Sequence, residues 1–387
     1  MRHAEATRFR RVVLLVTGLG LIGGTATAGP PWLPSTPAVV GHVYVNDNAA
    51  GSNTIAAFDR RADGSLTAMP GSPFPAGGAG LGSGLGSQGA IQFSPDGRFL
   101  LAVDAGSNQI SVLRLDHRGR PDPVGEPVSS GGVEPVSIAV NRFGLVYVAN
   151  VGAGGSNYTG FRLTPAGRLI AVPRSTVQVP EGSGVGDVLF NSTGDRLVGT
   201  RDNPSLIDSF TVRLDGSLVA APGSPFPGQG LGQIGAEFRP TDASQLYVSN
   251  AHNGPGLGTV SAFQVGRTGV LTSIGASPVP NGQTAPCWVE ISHDGRYLFV
   301  VNTGSANLSR YAIGRDGSLT LIGTTAFTNG NGAVDARLSP DGWFLFVTGG
   351  RGLVVSGFAV HGGDVTELAS SPTALPAGTS PTGIVVV

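Results

Sequence analysis

Hydrophobic residues fall along this chain in short bursts, set off by polar turns of glycine, proline, serine and aspartate, and the bursts return every 45 to 58 residues. Their centres are Val45 in VYVND, Val103 in LLAVDA, Val148 in VYVAN, Gly199 in LVGTR, Val248 in LYVSN, Val300 in LFVVN and Val347 in LFVTG. Six bursts follow a turn: SPDG at Ser94 to Gly97, NRFG at Asn141 to Gly144, NSTG at Asn191 to Gly194, RPTD at Arg239 to Asp242, SHDG at Ser292 to Gly295 and SPDG at Ser339 to Gly342. Proline and aspartate start such turns, and glycine takes the positive-φ position that closes them. A period near 50 is the length of four short strands with their turns, one blade of a β-propeller. Seven units predict seven blades.

Within a unit the strands follow in order. Residues before the turn, such as Ala90 to Phe93 or Ile138 to Val140, form the first strand and the burst forms the second. Runs such as Ile110 to Leu115, Ser261 to Val265 and Leu308 to Ile313 form the third. A second turn, Asp63-Gly64, Asp215-Gly216, Thr268-Gly269 or Asp316-Gly317, leads into the fourth. No stretch of eleven or more residues after the N-terminal segment keeps a helical apolar period, so the fold class is all-β, with four-stranded antiparallel blades.

The two ends complete each other. Ser380 to Val386 reads as a first strand with nothing after it, and the unit beginning at Gly41 has strands two to four but no first strand. Pairing the C-terminal strand into the N-terminal blade closes the ring and removes open sheet edges. One unit cannot bury its sheet faces alone, whereas seven packed around an axis can, so residues 41–387 are expected to form one domain.

Ahead of the repeats, Arg2, Arg8, Arg10 and Arg11 precede an apolar run from Val12 to Gly24 and the small residues Ala26-Thr27-Ala28. This is the arrangement of a secretory signal peptide over residues 1–28, with cleavage after Ala28. The run is too short for an ordinary spanning helix, so no transmembrane segment is expected after cleavage. A secreted, periplasmic or cell-envelope location follows, with residues 29–40 as an extended lead. Removing residues 1–28 takes away four arginines and Glu5, moving the formal balance from −1 to −4. There is no lysine and the arginines are scattered, which argues against nucleic acid as a partner. A small molecule, a glycan or a protein is the expected partner, and a monomer the expected state.

Of 62 glycines, ten residues' worth of alternating sequence at Gly77 to Gly86 resembles a phosphate cradle, but it lacks the lysine and the strand-to-helix setting that such a loop needs. Turns and inter-blade connections account for it. The paired segments Pro70 to Pro75 and Pro222 to Pro227, echoed at Ala276 to Pro280, follow fourth strands. Their prolines fix extended connectors, and Phe74 and Phe226 are placed as plugs between blades.

The segments GAIQFSPDGRFLLAVDAGSNQISVLRLDHRG (Gly89 to Gly119), EPVSIAVNRFGLVYVAN and APCWVEISHDGRYLFVVNTGSANLSRYAIGRDGSL resemble the lactonase-type seven-bladed propellers, the family of 6-phosphogluconolactonases of that fold and of carboxymuconate-cyclising enzymes. The resemblance runs from about Gly41 to the end and rests mostly on turn and core positions. It implies a propeller and a lactone-directed activity. The family's first strands carry Pro-His-His over the channel; here the histidine position holds Gly89, Val136, Gly186, Ile234, Cys287, Val334 or Thr382. The family's Gly-Thr-Asp or Gly-Ser-Asp is replaced by Gly106-Ser107-Asn108 and by Gly304-Ser305-Ala306-Asn307. His42, His117, His252, His293 and His361 do not converge in sequence position, so neither metal nor cofactor is expected.

What the first strands offer instead is a set of polar residues in two registers. One holds Gln92, Glu237, Glu290 and Arg337; two residues earlier stand Asp187, Trp288 and Asp335. Period-two geometry puts both registers on one strand face. If that face looks onto the axis, Glu237, Glu290, Asp187 and Asp335 are candidate acid-base residues, with Arg337, Trp288 and Gln92 as ligand-binding partners. The same side chains can instead satisfy inter-blade backbone groups or pair Glu290 and Asp335 with Arg337. Cys287, the only cysteine, reads as buried and inert. Three functions remain open: a binding or scaffolding propeller that is non-catalytic or catalytically diverged, a lactone hydrolase or cycloisomerase, and a structural cell-envelope propeller.

Overall fold

The computed structural model describes residues 37–328 and 332–387. The expected signal peptide, and the lead up to residue 36, lie outside the described residues. The propeller takes up the chain at the strand Val39–Asn46, two residues earlier than the Gly41 boundary expected from the repeat. Seven antiparallel sheets follow, each ordered first to fourth strand outward from the axis. Blade 1 has Val39–Asn46, Thr54–Arg61 and Leu66–Ala68, with Thr382–Val386 as its innermost strand. Tyr44 pairs with Val385 and Val45 with Ile384, so the ends close the ring as their deficits require.

The innermost strands of the other blades are Ile91–Phe93, Pro135–Val140, Val185–Phe190, Gln233–Phe238, Pro286–Ile291 and Ala333–Leu338. They contact one another in sequence around the axis, the last contact joining Thr382–Val386 to Ile91–Phe93. The only helix among the described residues is a single turn at Ala105–Ser107.

The bursts run apolar through consecutive positions because a second strand is covered on both faces. Leu298 and Val300 pack toward blade 5, against Tyr247 and Val260, while Phe299 and Val301, pointing the other way, pack toward blade 7 against Leu345 and Val347. The described core accordingly divides into seven clusters, one between each pair of neighbouring blades. Tyrosines tie blades together at their edges: the hydroxyls of Tyr44, Tyr147 and Tyr247 donate to the carbonyls of Gly119, Gly216 and Gly317 in the outer turn of the next blade. Gly199 breaks the apolar burst of blade 4 for a steric reason. A Cβ there would lie 2.1 Å from the Tyr158 hydroxyl, which donates to Asp208, itself bound by Arg201.

The polar turns close through side chains. Ser94 donates to Asp96 at 2.7 Å and accepts from the Phe99 N–H, with Gly97 at φ 68°, and Ser292–Asp294 and Ser339–Asp341 repeat the arrangement. The proline-rich connectors add a short fifth strand, Phe74–Pro75 in blade 1 and Phe226–Pro227 in blade 4, paired to the third strand. Phe74 is buried between blades 1 and 2, and Phe226 packs at the interface of blades 4 and 5. The serine before each cis proline, Ser72, Ser224, Ser277 and Ser371, accepts a third-strand N–H that the ladder leaves free.

Candidate functional site: an axial well

First strands reach the axis with a bulge near their start, between Val185 and Asp187 in blade 4, Gln233 and Ala236 in blade 5 and Ala333 and Asp335 in blade 7. A bulge turns the following side chain out of the ladder's plane. Asp187 and Asp335 occupy that place.

The acids of blades 4, 5 and 6 form a relay around the axis. One oxygen of each accepts a backbone N–H from the next blade's first strand: Asp187 from Ala236 at 3.1 Å, Glu237 from Ile291, and Glu290 from Leu338 at 2.8 Å. The second oxygens differ. Asp187 takes the Ser137 hydroxyl at 3.1 Å, and Glu290 faces the Arg337 guanidinium at 3.3 Å without a well-directed hydrogen bond. Asp335 accepts from Gly89 N–H at 3.3 Å and from the adjacent Ala336 N–H at 2.8 Å. Glu237 Oε2 has no partner, and neither does Arg337 Nε. Both atoms are buried.

Burial governs the protonation of this group. Desolvation pushes Asp187 up to about 8 and Asp335 up to about 6. Glu237 is held well above the usual carboxylate range by desolvation and then by the neighbouring Glu290. Glu290 is raised by desolvation against the pull of Arg337. Burial works against the charge on Arg337, but the four surrounding carboxylates outweigh it, so the guanidinium stays protonated.

A cavity of about 300 Å³ adjoins the relay. It is lined by the charged Asp187, Glu237 and Arg337 with Gln92, and by apolar residues that include Ala139, Val140, Leu189 and Phe190. Ser192 and Pro240, both exposed, stand at its mouth on the face carrying the turns between first and second strands. The opposite end is stopped by a segment that crosses the axis. Gln88 donates its N–H to Gly186 of blade 4, and its side-chain amide both donates to Val289 O at 2.8 Å and accepts from Val289 N–H in blade 6. Gly89, at φ 79°, hands the chain on: its carbonyl accepts from Ile138 of blade 3 and its N–H reaches Asp335 of blade 7. Space for this crossing comes from Gly235, where a Cβ would lie 2.4 Å from Gln88 Oε1. The cavity is therefore a blind well.

The structure thus brings Gln92, Asp187, Glu237 and Arg337 together on the well, with Glu290 and Asp335 buried directly behind Arg337. Trp288, expected beside them, is elsewhere. Its indole is buried between blades 6 and 7 and donates to Ala333 O at 2.8 Å, because the residue after a bulge can turn into the interface when its side chain is large and apolar. Burial drives the Cys287 thiol up to about 11. His252 lies 3.1 Å from Asp202 and is half exposed, away from the well's lining. Sequence reasoning missed Gln88 and Ser137. The available signal for the first was Gln88-Gly89 standing where the matching strands begin Pro135, Pro286 or Pro381, after a long glycine-rich connector. Among the described residues no group of three His, Cys, Asp or Glu side chains is arranged to hold a metal ion, and no helix is long and apolar enough to cross a membrane.

Fold and site together define a seven-bladed β-propeller with a closed axial well. Residues 238–348 match the family model described as Lactonase, 7-bladed beta-propeller. Among solved structures, the chain is similar to a periplasmic gluconolactonase of Pseudomonas aeruginosa, at 19% identity, TM-score 0.72, over 90% of this chain and 99% of that one. It is equally similar to a Lactobacillus plantarum protein, at 19% identity, TM-score 0.72, over 90% and 99% of the two chains. A candidate 6-phosphogluconolactonase of Bacteroides uniformis gives 18% identity and TM-score 0.72 over 90% and 100%. At these identities the likeness establishes a common fold. No curated protein matches the sequence.

Proposed function

We propose that the axial well is the active site of a lactone hydrolase working outside the cytoplasm. The observation that carries this reading is the presence of Glu237 and Arg337 together in the lining of the well, a carboxyl whose pKa burial raises beside a guanidinium that stays charged. A carboxyl whose pKa burial raises keeps its proton to higher pH than a solvent-exposed glutamate, and so can donate it where the latter cannot.

A lactone seated with its carbonyl oxygen toward Arg337 has the developing oxyanion stabilised by a fixed positive charge. Water adds to the carbonyl carbon and the acyl–oxygen bond of the ring breaks. The ring oxygen takes the proton of Glu237, and a proton of the attacking water restores it. The product is a hydroxy acid that ionises, and an anion in this well is opposed by Asp335 and Glu290, which favours release. Glu290 and Asp335 position Arg337 and do not touch the reacting atoms.

The lactonase-family match and the periplasmic gluconolactonase among the similar structures support this reading, as does the signal-peptide pattern of residues 1–28 for the location. The second reading, a binding propeller without turnover, draws on the relay itself, since Asp187 and Asp335 have both oxygens hydrogen-bonded and Glu290 is paired with Arg337. A panel of γ- and δ-lactones followed by proton release separates the two. Turnover that Glu237→Gln lowers by about 10²–10⁴-fold is expected. A variant as active as the wild type removes Glu237 from the mechanism, and no turnover of any lactone leaves the binding reading.

A further inference from the structure

We infer that the well selects an uncharged lactone bearing a short apolar substituent, and discriminates against phosphorylated sugar lactones. The inference rests on the lactone reading of the site and concerns what that site admits.

Three features of the well carry it. Its charged lining holds Arg337, a donor, with Glu237, a donor when protonated, so the site calls for an acceptor such as a carbonyl. It offers no second cation. Arg337 is the only basic residue among the described residues lining the well, and Glu290 already faces it at 3.3 Å. A phosphate dianion entering here gives up its water without an unpaired cation to take its place. The lining also includes Ala139, Val140, Leu189 and Phe190, whose side chains cannot hydrogen-bond a polyol. Each sugar hydroxyl pressed against them loses its water without replacement.

Size and shape add a limit. At about 300 Å³ the well is near the lower end of the range usual for ligand sites. Gln88, braced at both ends of its amide by Val289, closes the far end, so a substituent cannot thread through the ring and must lie along the apolar lining toward the mouth.

The test compares kcat/KM of the wild type for a γ-lactone with a short alkyl chain, for glucono-δ-lactone and for its 6-phosphate. Binding of the corresponding non-hydrolysable lactams is measured in parallel by calorimetry. At least a tenfold preference for the alkyl compound over the sugar, and no measurable use of the phosphate, is expected. Leu189→Asn is expected to erase that preference while retaining the fold, and Val140→Asn, at a second wall position, provides the same test should the first variant be unstable. Equal or better handling of the phosphorylated sugar overturns the inference. If no lactone is hydrolysed but the alkyl lactam binds in preference to the sugar lactam, the selectivity stands and the catalytic reading fails. If neither lactam is preferred, the selectivity fails whatever the turnover.

Discussion

Asp96 in an outer turn and Asp187 on the axis are the same chemical group held in opposite states. Asp96 is drawn down to about 2 by the Ser94 hydroxyl, helped by Arg98, in contact with water. Asp63 is likewise lowered by Ser65. Asp187 also accepts two hydrogen bonds, yet stands at about 8, because its loss of water outweighs both. Hydrogen bonds alone therefore do not decide the charge of a carboxyl. The turn acids serve the fold as anions, while the axial acids are kept where a proton can be held and given up near neutral pH.

The largest break in this comparison is expected at Glu237. Glu237→Gln is expected to lose about two to four orders of magnitude in lactone turnover with an unchanged or higher Tm, because it removes a buried ionisable group whose Oε2 has no partner. A large fall in Tm together with activity would make Glu237 a structural member of the relay. Next comes Arg337→Met, which leaves Glu290 and Asp335 without their cation and is expected to cost about 3–5 kcal/mol in urea unfolding. The double variant Glu290→Gln/Arg337→Met is expected to recover much of that loss. If it does not, the pair is not the reason.

The two sets also respond to pH with opposite sign. A carboxyl whose pKa is higher folded than unfolded holds its proton more tightly in the native state. The stability from Asp335 and Asp187 is then fully present below about 4 and falls as pH rises through about 6 and about 8. The turn acids contribute stability above about 4 that is lost as pH falls toward about 2, as for Asp96. Unfolding free energies between pH 2 and 9 should show both limbs, with slopes of up to about 1.4 kcal/mol per pH unit for each group titrating. Asp187→Asn should flatten only the neutral limb, and an unaltered profile would place Asp187 among ordinary exposed acids. The smallest effect is expected from Asp96→Ala, a few tenths to about 1 kcal/mol, since its partners are solvated and screened. A loss comparable to that of Arg337→Met would erase the distinction between turn and axis.

Much of the geometry that gathers the candidate residues at the axis was legible in the sequence, and particular residues show where legibility ended. Glu237, Glu290 and Arg337 share a register on successive first strands, and Asp187 and Asp335 share the one two residues earlier, because a strand repeats every second residue. That reasoning could not tell Trp288 from Asp335, which hold the same position: the small charged side chain stays at the axis and the large apolar one turns into the interface. Nor could it find Gln88, whose partners Gly186 and Val289 are distant in the chain and meet it only across the ring.

The chain by itself determined the number of blades, their strand order and the closure of the ring by its last strand, since these follow from a local period of apolar bursts and turn residues repeated seven times. Tertiary structure alone decided which end of the channel is stopped, which acid keeps a free oxygen and which carboxyls hold protons. The reason is physical. Periodicity is carried by neighbours in sequence, whereas desolvation and unmet hydrogen bonds depend on what seven separate strands bring to one axis.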